Sequence, residues 1–228
     1  MKLTPIGYMK SDFPTKFGLP RQSGLIEELV SYVVMEKDYA VPEAFRGIDG
    51  YSHLFLIWGF SLRGTDDRSW SPTVRPPRLG GNKRMGVFAT RSPNRPNPLG
   101  LSCVKLLGIT EIDGRIALAV GGADLADGTP IYDIKPYLPF ADAHPEAKGG
   151  FSEEVVDDRL TVKVENTLLE KLPISKREAL IKLLKADPRP SYHHDETRIY
   201  GFTYAGYEIK FRVFEDVLTV TDVIEEKL

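Results

Sequence analysis

Over its first 140 residues this chain offers one strand signal after another. LVSYVVM (29–35), SHLFLIWGF (52–60), MGVFAT (85–90), LSCVKLLGI (101–109) and RIALAV (115–120) are short runs rich in β-branched and aromatic residues, each bounded by Gly, Pro or Asn/Asp clusters. No amphipathic helical pattern of ten residues or more precedes about residue 160. Parallel strands need long crossovers, usually helical, so the pattern points to an antiparallel barrel or sandwich and against a doubly wound sheet. Within ITEIDGRIALAV, Asp113-Gly114 marks a hairpin, because a type I′ turn needs positive φ at both central residues.

One stretch breaks this regularity. RSPNRPNP (91–98) sets three prolines and two arginines between apolar runs, and WSPTVRPPRLGGNKR (70–84) precedes it. Proline fixes φ and donates no backbone hydrogen bond, so neither segment is the interior of a helix or a central strand. Both are stiff loops that carry guanidinium groups. From Arg68 to Lys105 the chain holds eight basic residues and no acidic one, although its overall net charge is −2. A local excess of that size implies an anionic partner, a phosphate or a nucleic acid.

The single cysteine, Cys103, rules out an internal disulfide and fits a reducing compartment. The amino terminus, MKLTPIGYMKSDFPTKF, lacks the apolar core of a secretory signal, and HLFLIWGF is far too short to span a bilayer. A cytoplasmic protein without membrane contact is the expectation.

AHPEAKGGFSEEVVDDR (143–159) is polar and Gly/Pro-bearing, and suggests a boundary between a domain of residues 1–148 and a second of residues 149–228. In the second, Ser175 and Glu178 form an S-x-x-E capping box that opens the helix SKREALIKLLKAD, with Pro188 closing it. YEIKFRVF (207–214) alternates apolar and charged residues as a strand with one wet face does. The expected architecture is mainly β, an antiparallel barrel followed by a small α+β domain.

The chain lacks a dinucleotide fingerprint, a P-loop, a nucleophile elbow and a paired-cysteine motif. His193 and His194 precede Asp195, but adjacent strand residues face opposite ways and a loop histidine pair is usually polar surface, so no metal site is expected. What remains is GGADLADGTPIYDIKPYLPF (121–140), where Asp124, Asp127 and Thr129 form a tight turn. This turn and the arginine loop both adjoin core-type strands. They could therefore face each other across one barrel rim, with carboxylates for a ribose or ammonium and arginines for a carboxylate or phosphate.

GVFATRSPNRPNPLGLS, VRPPRLGG, DLADGTPIYDIKPYLPFA and LPRQSGL together resemble the bacterial TrmO family, the YaeB/TsaA-like group. The resemblance spans essentially the whole chain, with ADPRPSY (186–192) similar to the carboxy-terminal extension of the longer members. It implies a β-barrel methyltransferase unrelated to the Rossmann type, using S-adenosylmethionine near a homodimer interface. The implied substrate is N6-threonylcarbamoyladenosine beside the anticodon of a threonine tRNA.

Position by position, the resemblance assigns cofactor contacts to Arg21 and Gln22, to Arg91, Asn97 and Leu101 in the signature loop, and to Asp124, Leu125, Asp127, Gly128 and Thr129. Members commonly carry His-Gln where this chain has Ser61-Leu62, so there only backbone contacts carry over. Arg91 would pair with the methionyl carboxylate, and Arg75, Arg78, Arg84 and Arg95 with tRNA phosphates. Asp127 is the first candidate for accepting the N6 proton and Asp124 the second, with His53, at the start of a strand, a structural residue. Tyr137 would stack on a flipped adenine. The competing expectation is a non-catalytic RNA-binding barrel using the same cations and aromatics.

Overall fold

The computed structural model describes residues 2–61, 70–76, 83–153, 160–189 and 195–226. Twelve strands and three α-helices are assigned among them. Six long-range antiparallel partners form the first sheet: β1 (Gly7–Lys10), β2 (Val30–Met35), β3 (His53–Gly59), β6 (Leu99–Ile112), β7 (Arg115–Gly121) and β8 (Pro130–Pro136). Their order, β1-β2-β7-β6-β3-β8, closes on itself because β1 pairs with β8 through Gly7↔Ile131 and Tyr8↔Pro130. Side-chain alternation fills the interior, where Leu54, Leu56, Val104, Leu118, Val120 and Ile131 are each 1% exposed or less.

Asp113 and Gly114 take φ of 51° and 72°, as the expected hairpin between β6 and β7 requires. β6 carries a bulge between Leu106 and Gly108, which lets a fourteen-residue strand bend round the closed sheet. MGVFAT is not a strand throughout. Only Met85–Gly86 pairs, as β5 against β4 (Thr73–Val74), and Val87–Ala89 turns as a 3₁₀ helix. The closing strand β1 has too few residues for a periodicity to show.

The second sheet has the order β10-β11-β12-β9, built from β10 (Tyr200–Tyr204), β11 (Tyr207–Phe214), β12 (Val217–Glu225) and β9 (Thr161–Lys163), the last parallel to β12. Two short helices, α1 (Pro139–Asp142) and α2 (Asn166–Leu169), precede the long one, α3 (Ile174–Lys185). The expected capping box does not form. Helix α3 begins two residues early, after Pro173, and no side chain caps it, so Ser175 lies inside the first turn. Ala179, Leu180, Leu183 and Leu184 bury one face of α3.

The core under α3 also takes Phe13, Ile26 and Leu29 from the connection between β1 and β2. Lys176 to Asp12 at 2.5 Å, Lys182 to Glu28, and the Ala205 N–H to the Asp12 carbonyl at 3.0 Å tie the same connection down. The LPRQSGL segment is thereby held between the two sheets.

Candidate active site

Because the closed sheet is antiparallel, the connection after β1, the end of β3, the entry to β6 and the β7–β8 turn all open at one end. These are the segments that carry LPRQSGL, Ser61, RSPNRPNP and ADLADGT. Backbone bonds join them: Gly24 N–H to Gly122 O at 2.9 Å, Asp127 N–H to Phe13 O at 2.8 Å, and Phe60 N–H to Pro98 O at 3.2 Å. The arginine loop and the aspartate turn therefore share one rim. A cleft of about 450 Å³, lined by Ser61, Asn97, Gly59, Phe60, Leu99 and Tyr132, opens beside it.

Asp124 stands at the centre. Ser102 Oγ donates to Asp124 Oδ1 at 2.6 Å and accepts from Trp58 Nε1 at 2.9 Å. Ser102, 1% exposed, occupies an inward position of β6 next to Gly100, where a Cβ would stand 2.2 Å from Trp58 Cε2. Only glycine there lets the indole lie flat against the strand and reach the hydroxyl. Burial pushes the Asp124 carboxyl above its ordinary range. The Ser102 hydroxyl, backbone N–H groups of Asp124 and Ser23, and the Arg91 charge pull the other way without cancelling it.

Arg91 Nη1 donates to Gln22 Oε1, and Gln22 Nε2 donates to the Arg21 carbonyl at 2.6 Å. Arg21 Nη2 in turn reaches the Asp187 carbonyl at 2.9 Å, past the end of α3. Three sequence-assigned cofactor residues, Arg21, Gln22 and Arg91, thus form one hydrogen-bonded chain, and the Arg91 charge acts on a fourth, Asp124. Leu125 and Thr129 are buried anchors of the turn, Thr129 Oγ1 donating to Ala126 O at 2.7 Å, and Gly128 supplies φ of 72°. Asp127 is exposed, and its Oδ1 accepts the Ser11 N–H at 3.0 Å, which fastens the turn to the chain just after β1. Asn97 and Leu101 are both exposed at the entry to β6.

Of the phosphate candidates, Arg75 is exposed, Arg84 Nη1 donates to Thr73 Oγ1 at 2.9 Å, and Arg95 Nη1 donates to Thr90 O at 2.9 Å and braces its own loop. Leu62, Arg78, His193 and His194 lie outside the described residues. Tyr137 is not brought to this rim. Its N–H donates to His53 O at 3.0 Å, and its ring packs 5.6 Å from Phe55, at the opposite end of β3. Six residues of extended strand put that end roughly 20 Å away. His53 shares that end, its Nδ1 bonded to Ser52 Oγ at 2.9 Å. Among the described residues, no group of three or more His, Cys, Asp or Glu is placed to hold a metal ion.

Sequence reasoning passed over Ser102, Trp58 and Ser23. The signal for Ser102 was a lone hydroxyl in the inward register of an apolar strand, where a buried polar group must find partners.

Matches to known proteins cover the segments that converge here. The description "tRNA-methyltransferase O N-terminal domain" fits residues 8–143, and "TrmO C-terminal domain" fits residues 157–226. An Escherichia coli protein named tRNA (adenine(37)-N6)-methyltransferase is 41% identical over 217 residues, 91% of this chain and 89% of that protein. A Pseudomonas aeruginosa protein named putative S-adenosylmethionine-dependent methyltransferase RcsF is 36% identical over 97% of this chain and 96% of its own length. The crystal structure of TrmO from Pseudomonas aeruginosa superposes with a TM-score of 0.76 at 29% identity, covering 98% of each chain. On matches that take in both sheets and every segment of the rim, the chain belongs to the TrmO family of tRNA methyltransferases.

Proposed function

We propose that this protein methylates N6 of adenosine 37 in tRNA with S-adenosylmethionine, and that its substrate is the N6-threonylcarbamoyl form in a threonine tRNA. The observation that carries the reading is that the Arg91–Gln22 pair and the Asp124 carboxylate lie at one rim, a cation and a carboxylate of the kind a zwitterionic nucleoside needs. S-adenosylmethionine supplies an electrophilic methyl on a sulfonium. Arg91 holds the carboxylate end of the cofactor, the turn Asp124–Thr129 walls it, and the cleft at Ser61 and Asn97 gives it depth.

The threonylcarbamoyl group delocalises the N6 lone pair and makes the N–H more acidic, so a base in contact with N6 is worth about 10²–10⁴-fold. We assign that role to Asp124 in place of Asp127. As N6 gains its methyl, its proton passes to the Asp124 carboxylate, whose affinity for protons burial has raised. Asp127 is engaged with the Ser11 N–H and shapes the turn. Arg75, Arg84 and exposed edges of the proline loop meet the phosphates. Leu101, 57% exposed on the outer face of β6 beside the rim, suits a contact between two copies, which supports a homodimer. No described helix is long and apolar enough to cross a membrane. A cytoplasmic location follows from the tRNA substrate.

The test is a pair of measurements. At 100 times its dissociation constant, S-adenosylmethionine raises the unfolding free energy by about 2.7 kcal/mol, whereas a pure RNA-binding barrel ignores it. Mass spectrometry of nucleosides then follows methyl transfer to tRNA prepared with and without threonylcarbamoylation. Equal methylation of both preparations removes the substrate assignment, and methylation of neither removes the enzyme.

A further inference from the structure

Phe88 is 74% exposed and Trp70 47%, and both lie in the stretch that holds eight cations and no acid. An exposed phenylalanine costs nothing when its turn is free to rotate it inward, but this turn is fixed. Val87, 1% exposed, anchors it; the Val87 N–H donates to Pro72 O at 3.0 Å, and the Thr90 N–H and hydroxyl both donate to Val87 O, at 3.1 and 2.8 Å. The ring of Phe88 is thereby held out into solvent. Trp70 is carried on the neighbouring segment, where the Ser71 N–H donates to Asn94 O at 3.4 Å. The two aromatics therefore flank the arginine loop.

Phe88 precedes Arg91 by three residues, so their Cα atoms are within about 11 Å, one or two nucleotide lengths. Every nucleobase has a π-face, and an aromatic among cations serves single-stranded nucleic acid by stacking while the cations hold the backbone. A second copy meeting the Phe88 face across a two-fold axis, unlike one meeting the apolar Leu101, would set Arg75, Lys83, Arg84, Arg91 and Arg95 against their own kind. Charge complementarity favours RNA.

We propose that Phe88 is a stacking platform for an unpaired nucleobase next to the target adenosine, with Trp70 receiving a further one and Arg84 the phosphate between. This rests on tRNA being the substrate.

The experiment measures binding of labelled bulk tRNA, and of a double-stranded RNA of equal length, by the intact protein, Phe88→Ala, Phe88→Trp and Arg84→Ala over a range of salt. Phe88→Ala is expected to weaken tRNA binding roughly 5- to 150-fold, with the salt slope and S-adenosylmethionine affinity of the parent. Phe88→Trp keeps tRNA affinity, Arg84→Ala lowers the slope by about one ion, and duplex binding is unmoved by Phe88→Ala. Unchanged tRNA affinity in Phe88→Ala overturns the platform. So does a loss that sedimentation traces to a dimer becoming monomer, which assigns Phe88 to a subunit contact. If the parent protein binds no tRNA at all, the reading of function fails and the platform with it.

Discussion

Ser102 Oγ lies 2.6 Å from Asp124 Oδ1 and 2.9 Å from Trp58 Nε1, so one buried hydroxyl both donates to the carboxylate and accepts from the indole. Replacing it by alanine strands two partners. The half-buried indole N–H loses its acceptor and Asp124 loses a donor that had lowered its pKa. Ser102→Ala should lose about 1–3 kcal/mol of stability in urea unfolding. Its pH–rate profile should also move to higher pH, because a base of higher pKa must be deprotonated before it can act. A stability loss with an unmoved profile would mean that Ser102 only packs.

Asp124 itself makes the protein less stable at neutral pH. Burial raises its folded-state pKa above the ordinary carboxylate range, so the native state binds the proton more tightly than the unfolded state. Stability then falls as pH rises from the unfolded value through the folded one, and the penalty persists above both. Asp124→Asn should therefore melt at a higher temperature than the parent at pH 7, with the difference vanishing below about pH 4. It should still bind S-adenosylmethionine and lose at least 10²-fold in turnover. Full activity in this variant would remove Asp124 as the proton acceptor.

The antiparallel sheet, the hairpin at Asp113-Gly114 and the meeting of the two proline-punctuated turns were legible because each has a local cause: β-branched alternation, a positive φ, a residue that cannot join a ladder. What was not legible depends on closure. β1 is only four residues long, and its place is set by the pairing of Tyr8 with both Val34 and Pro130. Tyr137 follows the ADLADGT turn in sequence, yet β8 carries it to the other end of the closed sheet. The capping box at Ser175 failed because Pro173 already has the extended backbone, ψ of 140°, that precedes a helix. Asp127 and Asp124 were indistinguishable as letters. Only the register of β6 puts Ser102 under one of them.

Arg91 carries the cofactor assignment. Its Nη1 donates to Gln22 and its charge lowers the Asp124 pKa, while the residue itself is exposed. Loss of a charge-assisted bidentate pair to the methionyl carboxylate is worth about 1.5–3 kcal/mol. Arg91→Ala should raise the S-adenosylmethionine dissociation constant roughly 10- to 150-fold by calorimetry, with little change in the unfolding midpoint. Arg91→Lys should recover only part of this, since an ammonium cannot present a fork. An alanine variant that binds the cofactor normally would move the carboxylate site elsewhere on the rim.

Gly18 joins the LPRQSGL connection to the second sheet. It has φ of 89°, and a Cβ there would stand 2.4 Å from Cδ2 of Phe202. That ring is held edge-on to Phe17, 6.3 Å away, and to Phe211, 6.0 Å away, so it has nowhere to retreat. Gly24, in the same connection, has φ of 79° but no atom within 4 Å of its would-be Cβ. Gly24→Ala therefore reports the left-handed backbone alone, about 1–2 kcal/mol. Gly18→Ala adds overpacking of roughly 1–3 kcal/mol. Urea midpoints of the two variants, read at equal m-value, should differ by that second amount. Equal midpoints would show that Phe202 yields, and that the aromatic cluster under α3 does not fix where Arg21 and Gln22 meet Arg91.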